Sequence, residues 1–302
     1  MCGIVGLYLK TPDRRAELGA LFSPMLEEMT DRGPDSAGFA VYRSDKPDAG
    51  AFGKVTLYSA DPQEDWRELA AAMGDALGVD IQASANASHA VLDGPTSAAA
   101  MRDWLIEDRP AVRIMSAGAS LEIYKEIGLP RDVLTRFSAP QMTGTHMIGH
   151  TRMATESAVT TEGAHPFNTG DDLCLVHNGS LSNHNGLKRW LAREGGLVFQ
   201  TENDSEVAAG YLTHRLRQGL DLEEALKAAL KDLDGFYTFA VGAKNGFAVL
   251  RDPIACKPAV LAETDEWVAM ASEYRSISRL PGVENASVWE PKPATVYTWG
   301  SA

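Results

Sequence analysis

A chain of 302 residues, 44% of them hydrophobic, is long enough for one large domain or two modest ones and apolar enough for a sizeable core. Its formal net charge of -13 argues against nucleic acid and against anionic membranes as partners. No apolar run reaches the ~18 residues of a membrane span, and the first residues lack the basic and apolar regions of a signal peptide, so a cytoplasmic location is expected.

In chain order, residues 3–9 (GIVGLYL) read as a strand. Leu18, Phe22, Met25 and Met29 recur at helical spacing, with Pro24 expected to kink that helix or to delay its start until after Ser23. RGPDSAG at 32–38 is a turn cluster leading into two strands, FAVYR and GKVTLYS. From about 62 to 138 the pattern changes. Trp66, Leu69, Met73 and Leu77 mark an amphipathic helix. Residues 94–105 mark a second helix, with Thr96 or Ser97 as its cap. VRIMS reads as a short strand and SLEIYKEIG as a helix ending at Gly128, so the segment as a whole reads as a small α/β insertion. After 140 strands return in THMIGHTRM and LCLVHNGSL. Two helices follow, DSEVAAGYLTHRLRQG and LEEALKAALKDL, and then strands at FYTFAVGA, GFAVLRD, KPAVLA, WVAMAS and ATVYTW. Strands and helices come in blocks, which points to an α+β fold of stacked antiparallel sheets covered by helices.

The three cysteines, Cys2, Cys174 and Cys256, are too scattered for a disulfide framework and contain no CxxC pair for zinc, so no metal site is expected. Cys174, in an apolar run, and Cys256, in DPIACKP, read as structural. Cys2 has two readings. It is either a buried cysteine at a strand start or a nucleophile. An ordinary thiol is mostly protonated at neutral pH, and an N-terminal α-amine, freed by removal of Met1, can act as the base for its own side chain.

Four further positions also have two readings each. Arg152 in HTRMATES is a surface arginine, or it holds a carboxylate through two parallel hydrogen bonds, with the Thr151 and Thr155 hydroxyls nearby. Asn178 and Gly179 form a tight hairpin turn, or an amide and a backbone N–H that converge as an oxyanion hole. Asp204 in TENDSEV caps the following helix or presents a carboxylate to an ammonium group, and Ser205 could take over the capping. Taken together, the second readings describe a site for a free amino acid with a side-chain amide, which is glutamine or a close relative.

The set MCGIVG, RGPDSAG, HTRMAT, HPF, HNG and TENDSEV, in this order, resembles a class II glutamine amidotransferase of the N-terminal-nucleophile hydrolase type. RDPIACKP and the ASE at 271–273 resemble that family's closing segments. The resemblance implies one such domain over 2–302, interrupted at about 62–138. It implies a four-layer α-β-β-α sandwich of two antiparallel sheets. It also implies Cys2 as the nucleophile, Asn178 and Gly179 as the oxyanion hole, Arg152 and Asp204 on the glutamine backbone groups, and Arg32 ordering the site beside Cys2. Met153 stands where many members have a bulky aromatic, and Glu156 where several branches have histidine or asparagine.

The segment MSAGASLEIYKEIGLP is similar to the amidotransferase portion of glutamate synthase or N-methylglutamate synthase, in its free-standing form. That likeness implies a hetero-oligomer. A separate synthase subunit would accept nitrogen and carry any flavin and iron–sulfur clusters, with no cofactor in this chain. Two alternatives remain at this stage: a hydrolase of other γ-glutamyl amides, and a glutamine-sensing regulatory subunit in which Met1 is retained.

Overall fold

A computed structural model of the protein describes residues 2–43, 52–154 and 158–300. In chain order the first half holds β1 (Gly3–Leu9), α1 (Leu18–Glu27), β2 (Ser36–Tyr42), β3 (Gly53–Tyr58), α2 (Trp66–Leu77), β4 (Gln82–Asn86), β5 (His89–Gly94), α3 (Ala98–Asp108), β6 (Arg113–Gly118), β7 (Leu121–Ile127), α4 (Pro130–Arg136) and β8 (His146–Arg152). The second half adds β9 (Phe167–Gly170), β10 (Leu173–Leu181), α5 (His184–Gly195), α6 (Asp204–Arg217), α7 (Leu222–Asp232), β11 (Gly235–Ala243), β12 (Gly246–Arg251), β13 (Val260–Glu263), β14 (Trp267–Ala271), the single turn α8 (Tyr274–Ile277), β15 (Ser287–Trp289) and β16 (Thr295–Gly300).

Two antiparallel sheets stack face to face. One has seven strands in the order β15-β13-β14-β1-β8-β2-β7, and the other has five in the order β16-β12-β11-β10-β9. The period-two alternation of β-strands assigns their side chains to layers. In β1, Val5, Leu7 and Leu9 pack with Phe22, Met25 and Leu26 of α1, Val133 of α4 and Ile277 of α8, whereas Ile4 enters the space between the sheets. In β10, Leu173 and Leu175 pack under α6 and α7, whereas Cys174 and Val176 meet the seven-stranded sheet. Both faces of the central strands are therefore buried, and the result is a four-layer α-β-β-α sandwich. At Gly6 the sheets approach so closely that a Cβ would lie 2.7 Å from the Phe247 ring.

A third sheet, ordered β4-β5-β3-β6, packs against α2 and α3 around Leu57, Leu69, Met73, Leu92 and Met101. It begins ahead of the expected 62–138 segment and ends before it, because β3 belongs to it and β7 does not. β7 pairs instead with β2 along its whole length, Ser36 opposite Ile127 through Tyr42 opposite Leu121. The helix expected over SLEIYKEIG is thus a strand. Its alternation is disguised because charged residues point inward: Glu122 is 2% exposed and Lys125 is 3% exposed. Glu122 accepts from Arg43 at 2.8 and 2.7 Å, from Lys54 at 2.9 Å and from Tyr124 Oη at 2.8 Å.

The delayed start considered at Pro24 does not occur: α1 begins at Leu18 and runs through Pro24. The carbonyl that Pro24 leaves without a donor belongs to Ala20, and both residues are exposed, so water can satisfy it. Cys256 is exposed, whereas Cys174 is buried with its sulfur 3.3 Å from Tyr42 Oη. The β4–β5 hairpin, β9, α5 and β15 had no counterpart in the sequence reading. No helix among the described residues is long and apolar enough to cross a membrane.

Candidate active site

Cys2 leads directly into β1, the middle strand of the seven-stranded sheet. β1 is held on one side by β8, with Gly3 opposite Thr151, and on the other by β14. Ser272 locks the start of the strand: its N–H donates to the Ile4 carbonyl and its Oγ accepts from the Ile4 N–H, both at 2.9 Å. The carbonyl of Cys2 accepts two hydrogen bonds, from Arg32 Nε at 3.0 Å and from Asn178 Nδ2 at 3.2 Å. Arg32 continues to Glu273, Nη1 to Oε1 at 2.7 Å, and that bond with the Arg275 charge holds the Glu273 carboxyl below its ordinary pKa. The residue bearing the thiol is therefore fixed from both sheets and from the RGPDSAG loop.

The same loop also fixes the end of β8. Asp35 N–H donates to the Arg152 carbonyl at 3.1 Å, and the Asp35 carboxylate accepts from Ala154 N–H at 2.7 Å. Arg152 is 7% exposed and its Nη1 donates to the Ala158 carbonyl at 3.3 Å. Thr151 turns away from the site, donating to the Met29 carbonyl at 3.0 Å. Thr155, expected beside Arg152, lies outside the described residues, as does Glu156.

Asn178 and Gly179 are not a hairpin turn. β10 continues to Leu181, with Asn178 opposite Thr238 and Gly179 opposite Tyr237 on β11. Gly179 has φ 152, and a Cβ there would sit 2.0 Å from the Phe236 carbonyl, so no other residue fits.

At the head of α6 the cap is Asn203, whose side chain accepts from Ser205 N–H at 2.9 Å. Asp204 and Ser205 are thereby released from the capping role that sequence alone allowed them. Asp204 Oδ2 accepts from Leu181 N–H at 2.9 Å, and its side chain remains 22% exposed.

Cys2, Arg152, Gly179 and Asp204 line one cavity of ≈ 730 Å³, together with His165, His177 and Ser205. Arg32 and Asn178 are not among its lining residues; both grip the Cys2 carbonyl, and Asn178 directly precedes the lining Gly179 on β10. The third sheet reaches the same cavity through Arg113 at the start of β6. Gln200 ties the cavity wall to that strand, Nε2 to the Ile114 carbonyl at 2.9 Å.

His150, His165 and His177 form a buried group that the sequence reading left without a role. His150 stacks on His165 with ring centroids 3.9 Å apart, and its Nε2–H donates to the His177 carbonyl at 3.0 Å. Burial pushes His150 down to about 3 and His165 well below its ordinary value. Burial also lowers His177, against the opposing pull of Asp204. The signals were present in HPF, HNG and ASE, but each motif marks the family without saying what its histidine or glutamate touches.

A thiol, an arginine, a carboxylate and a strand-borne glycine are gathered at one cavity of a fold of two stacked antiparallel sheets covered by helices. The family described as glutamine amidotransferase domain matches residues 150–279. The chain is 58% identical over 300 residues to the glutamine amidotransferase-like protein GlxB of Rhizobium meliloti (strain 1021), spanning 99% of this chain and 98% of that one. It is 31% identical over 168 residues to an amidophosphoribosyltransferase of Methanocaldococcus jannaschii, a match spanning 55% of this chain and 36% of that protein. Its fold matches glutamine phosphoribosylpyrophosphate amidotransferase from B. subtilis with a TM-score of 0.62 at 20% identity, over 99% of this chain and 47% of that one. The chain belongs to the class II glutamine amidotransferases, enzymes that act on the side-chain amide of glutamine.

Proposed function

We propose that the protein is a glutaminase subunit that releases ammonia from glutamine through Cys2 and passes the nitrogen to a separate synthase-like chain. The reading is carried by one observation: Cys2, Arg152, Gly179 and Asp204, far apart in sequence, line a single cavity. Arg152 takes the α-carboxylate and Asp204 the α-ammonium, which places the side-chain amide toward Cys2. With Met1 removed, the α-amine of Cys2 accepts the thiol proton through a water. The sulfur adds to the amide carbon, and the oxyanion is met by Gly179 N–H and by the amide of Asn178. One Asn178 N–H holds the Cys2 carbonyl, and an amide group has a second to offer. The carbon–nitrogen bond then breaks and ammonia leaves with the returned proton. Water next cleaves the thioester, yielding glutamate and the free thiol.

Arg32 acts on this chemistry from behind, by fixing the backbone from which the thiol projects. The acceptor branch rests on the likeness of 115–130 to glutamate-synthase-type amidotransferases. A partner subunit carrying flavin and iron–sulfur clusters would complete the reaction. Light scattering on the protein mixed with such a subunit, if it gave two separate species, would remove that part of the reading.

The central test is Cys2→Ala. Its glutaminase activity is expected to fall to background while its circular dichroism stays that of the wild type. Intact mass of the active wild type is expected to lack one methionine. Undiminished hydrolysis by the variant, or full activity with Met1 in place, would sink the proposal.

A further inference from the structure

Ser205 is 1% exposed, and its hydroxyl takes no part in capping α6. That hydroxyl has three polar neighbours instead: His165 Nε2 at 2.8 Å, His177 Nδ1 at 2.9 Å and Asp204 Oδ1 at 3.3 Å. A hydroxyl has one proton and two lone pairs. All three contacts are satisfied in only one way: both imidazoles donate into Oγ, and the hydroxyl donates to the carboxylate.

Two further observations select the same arrangement. His177 Nδ1 lies 3.7 Å from Asp204 Oδ1, where an N–H is attracted and a bare lone pair repelled. The ring atoms left without a partner are His165 Nδ1 and His177 Nε2. In this arrangement both are acceptors, and a buried acceptor is left unpaired more readily than a buried N–H.

We propose that Ser205 is a positioning residue: it gathers two hydrogen bonds from His165 and His177 and delivers one to Asp204, turning that carboxylate toward the ammonium group of the substrate. The inference rests on the reading of Asp204 as the ammonium acceptor. It gives the serine and both histidines a task that capping and core packing do not supply. It also accounts for burying two neutral imidazoles beside a carboxylate, since each is needed as a donor with its proton on a specified nitrogen.

Nitrogen-edited NMR of the histidine side chains in the full-length wild-type protein tests the network without turnover. His165 is expected to carry its proton on Nε2 and His177 on Nδ1; a His177 proton on Nε2 would overturn the proposal. In Ser205→Ala the KM for glutamine is expected to rise about tenfold, the loss of one hydrogen bond to a charged group, with kcat changed by no more than about threefold. A folded Ser205→Ala protein with wild-type KM would also overturn it. If that variant fails to fold, the tautomers of the wild type still decide. Failure of the Asp204 reading is distinguishable, because Asp204→Asn would then keep the wild-type KM for glutamine while the tautomers stayed as expected.

Discussion

Arg32 holds the Cys2 carbonyl through Nε and Glu273 through Nη1, and a planar guanidinium is the side chain that can address both at fixed angles. A lysine would keep the charge near Glu273 and lose the directed bond to Cys2. Arg32→Lys is therefore expected to lower kcat by about tenfold, the worth of one hydrogen bond to a charged donor. KM for glutamine should stay near the wild-type value, because Arg32 does not line the cavity. Steady-state kinetics checks this, and a rise in KM at constant kcat would place Arg32 on the substrate instead. At this scale the sequence singled out residues that the fold brings to one cavity, as at Cys2, Arg152 and Asp204. It offered Ser205 only a capping role, since the partners of its hydroxyl are set by residues 28 and 40 positions away.

The elements are joined at one heavily used carboxylate. Asp172, in the turn between β9 and β10, is 6% exposed and accepts from Ala119 N–H at 2.8 Å, Ser120 N–H at 2.8 Å, Ser120 Oγ at 3.0 Å and Leu121 N–H at 2.9 Å. Its own N–H donates to the Ala117 carbonyl at 2.9 Å. The β6–β7 turn, where the chain leaves the third sheet for the seven-stranded one, is thereby pinned to the five-stranded sheet. Asp172→Ala would strip several buried N–H groups of their acceptor and is expected to cost about 3 kcal/mol. Urea unfolding measures the loss, and hydrogen exchange should show it first at amides 119–121. Strands such as β1 and β10 were legible because burial on both faces leaves continuous apolar runs. β7 was not, because the partners that make Glu122 and Lys125 tolerable inside come from other elements. For Glu122 these are Arg43 and Lys54, and for Lys125 they are the carbonyls of Glu162, Ala164 and Pro166.

Six of the seven histidines, His89, His146, His150, His165, His177 and His214, are buried, and this sets how the whole molecule responds to acid. Burial lowers His89, His146 and His150 to about 3, and lowers His165 and His177 as well. An unfolded histidine takes up a proton near pH ~6.5. Between that value and the lowered folded value the unfolded chain binds more protons, so stability falls as the pH drops. Each such proton contributes a slope of about 1.4 kcal/mol per pH unit. Glu122 adds a second loss at lower pH. Burial alone would raise its pKa, but Arg43 and Lys54 together bring it below the ordinary value. Its stabilisation is therefore present above the unfolded glutamate pKa and disappears as the pH falls through the folded one. The melting temperature is expected to be level above pH ~7 and to drop steeply from pH ~6 downward. A melting temperature flat down to pH ~4 would contradict the buried, neutral histidines.

The position of β1 also has a consequence in time. It precedes all its partners in the chain, yet it occupies the middle of its sheet, with Val5 paired to Ala271. At about 5–20 residues per second, its second neighbour leaves the ribosome on the order of tens of seconds after the first residues do. Until then one edge of β1 has no strand to pair with, and such an edge is what holdase chaperones cover. A chain stalled during translation would carry the cysteine without the Ser272 and Glu273 contacts that frame it.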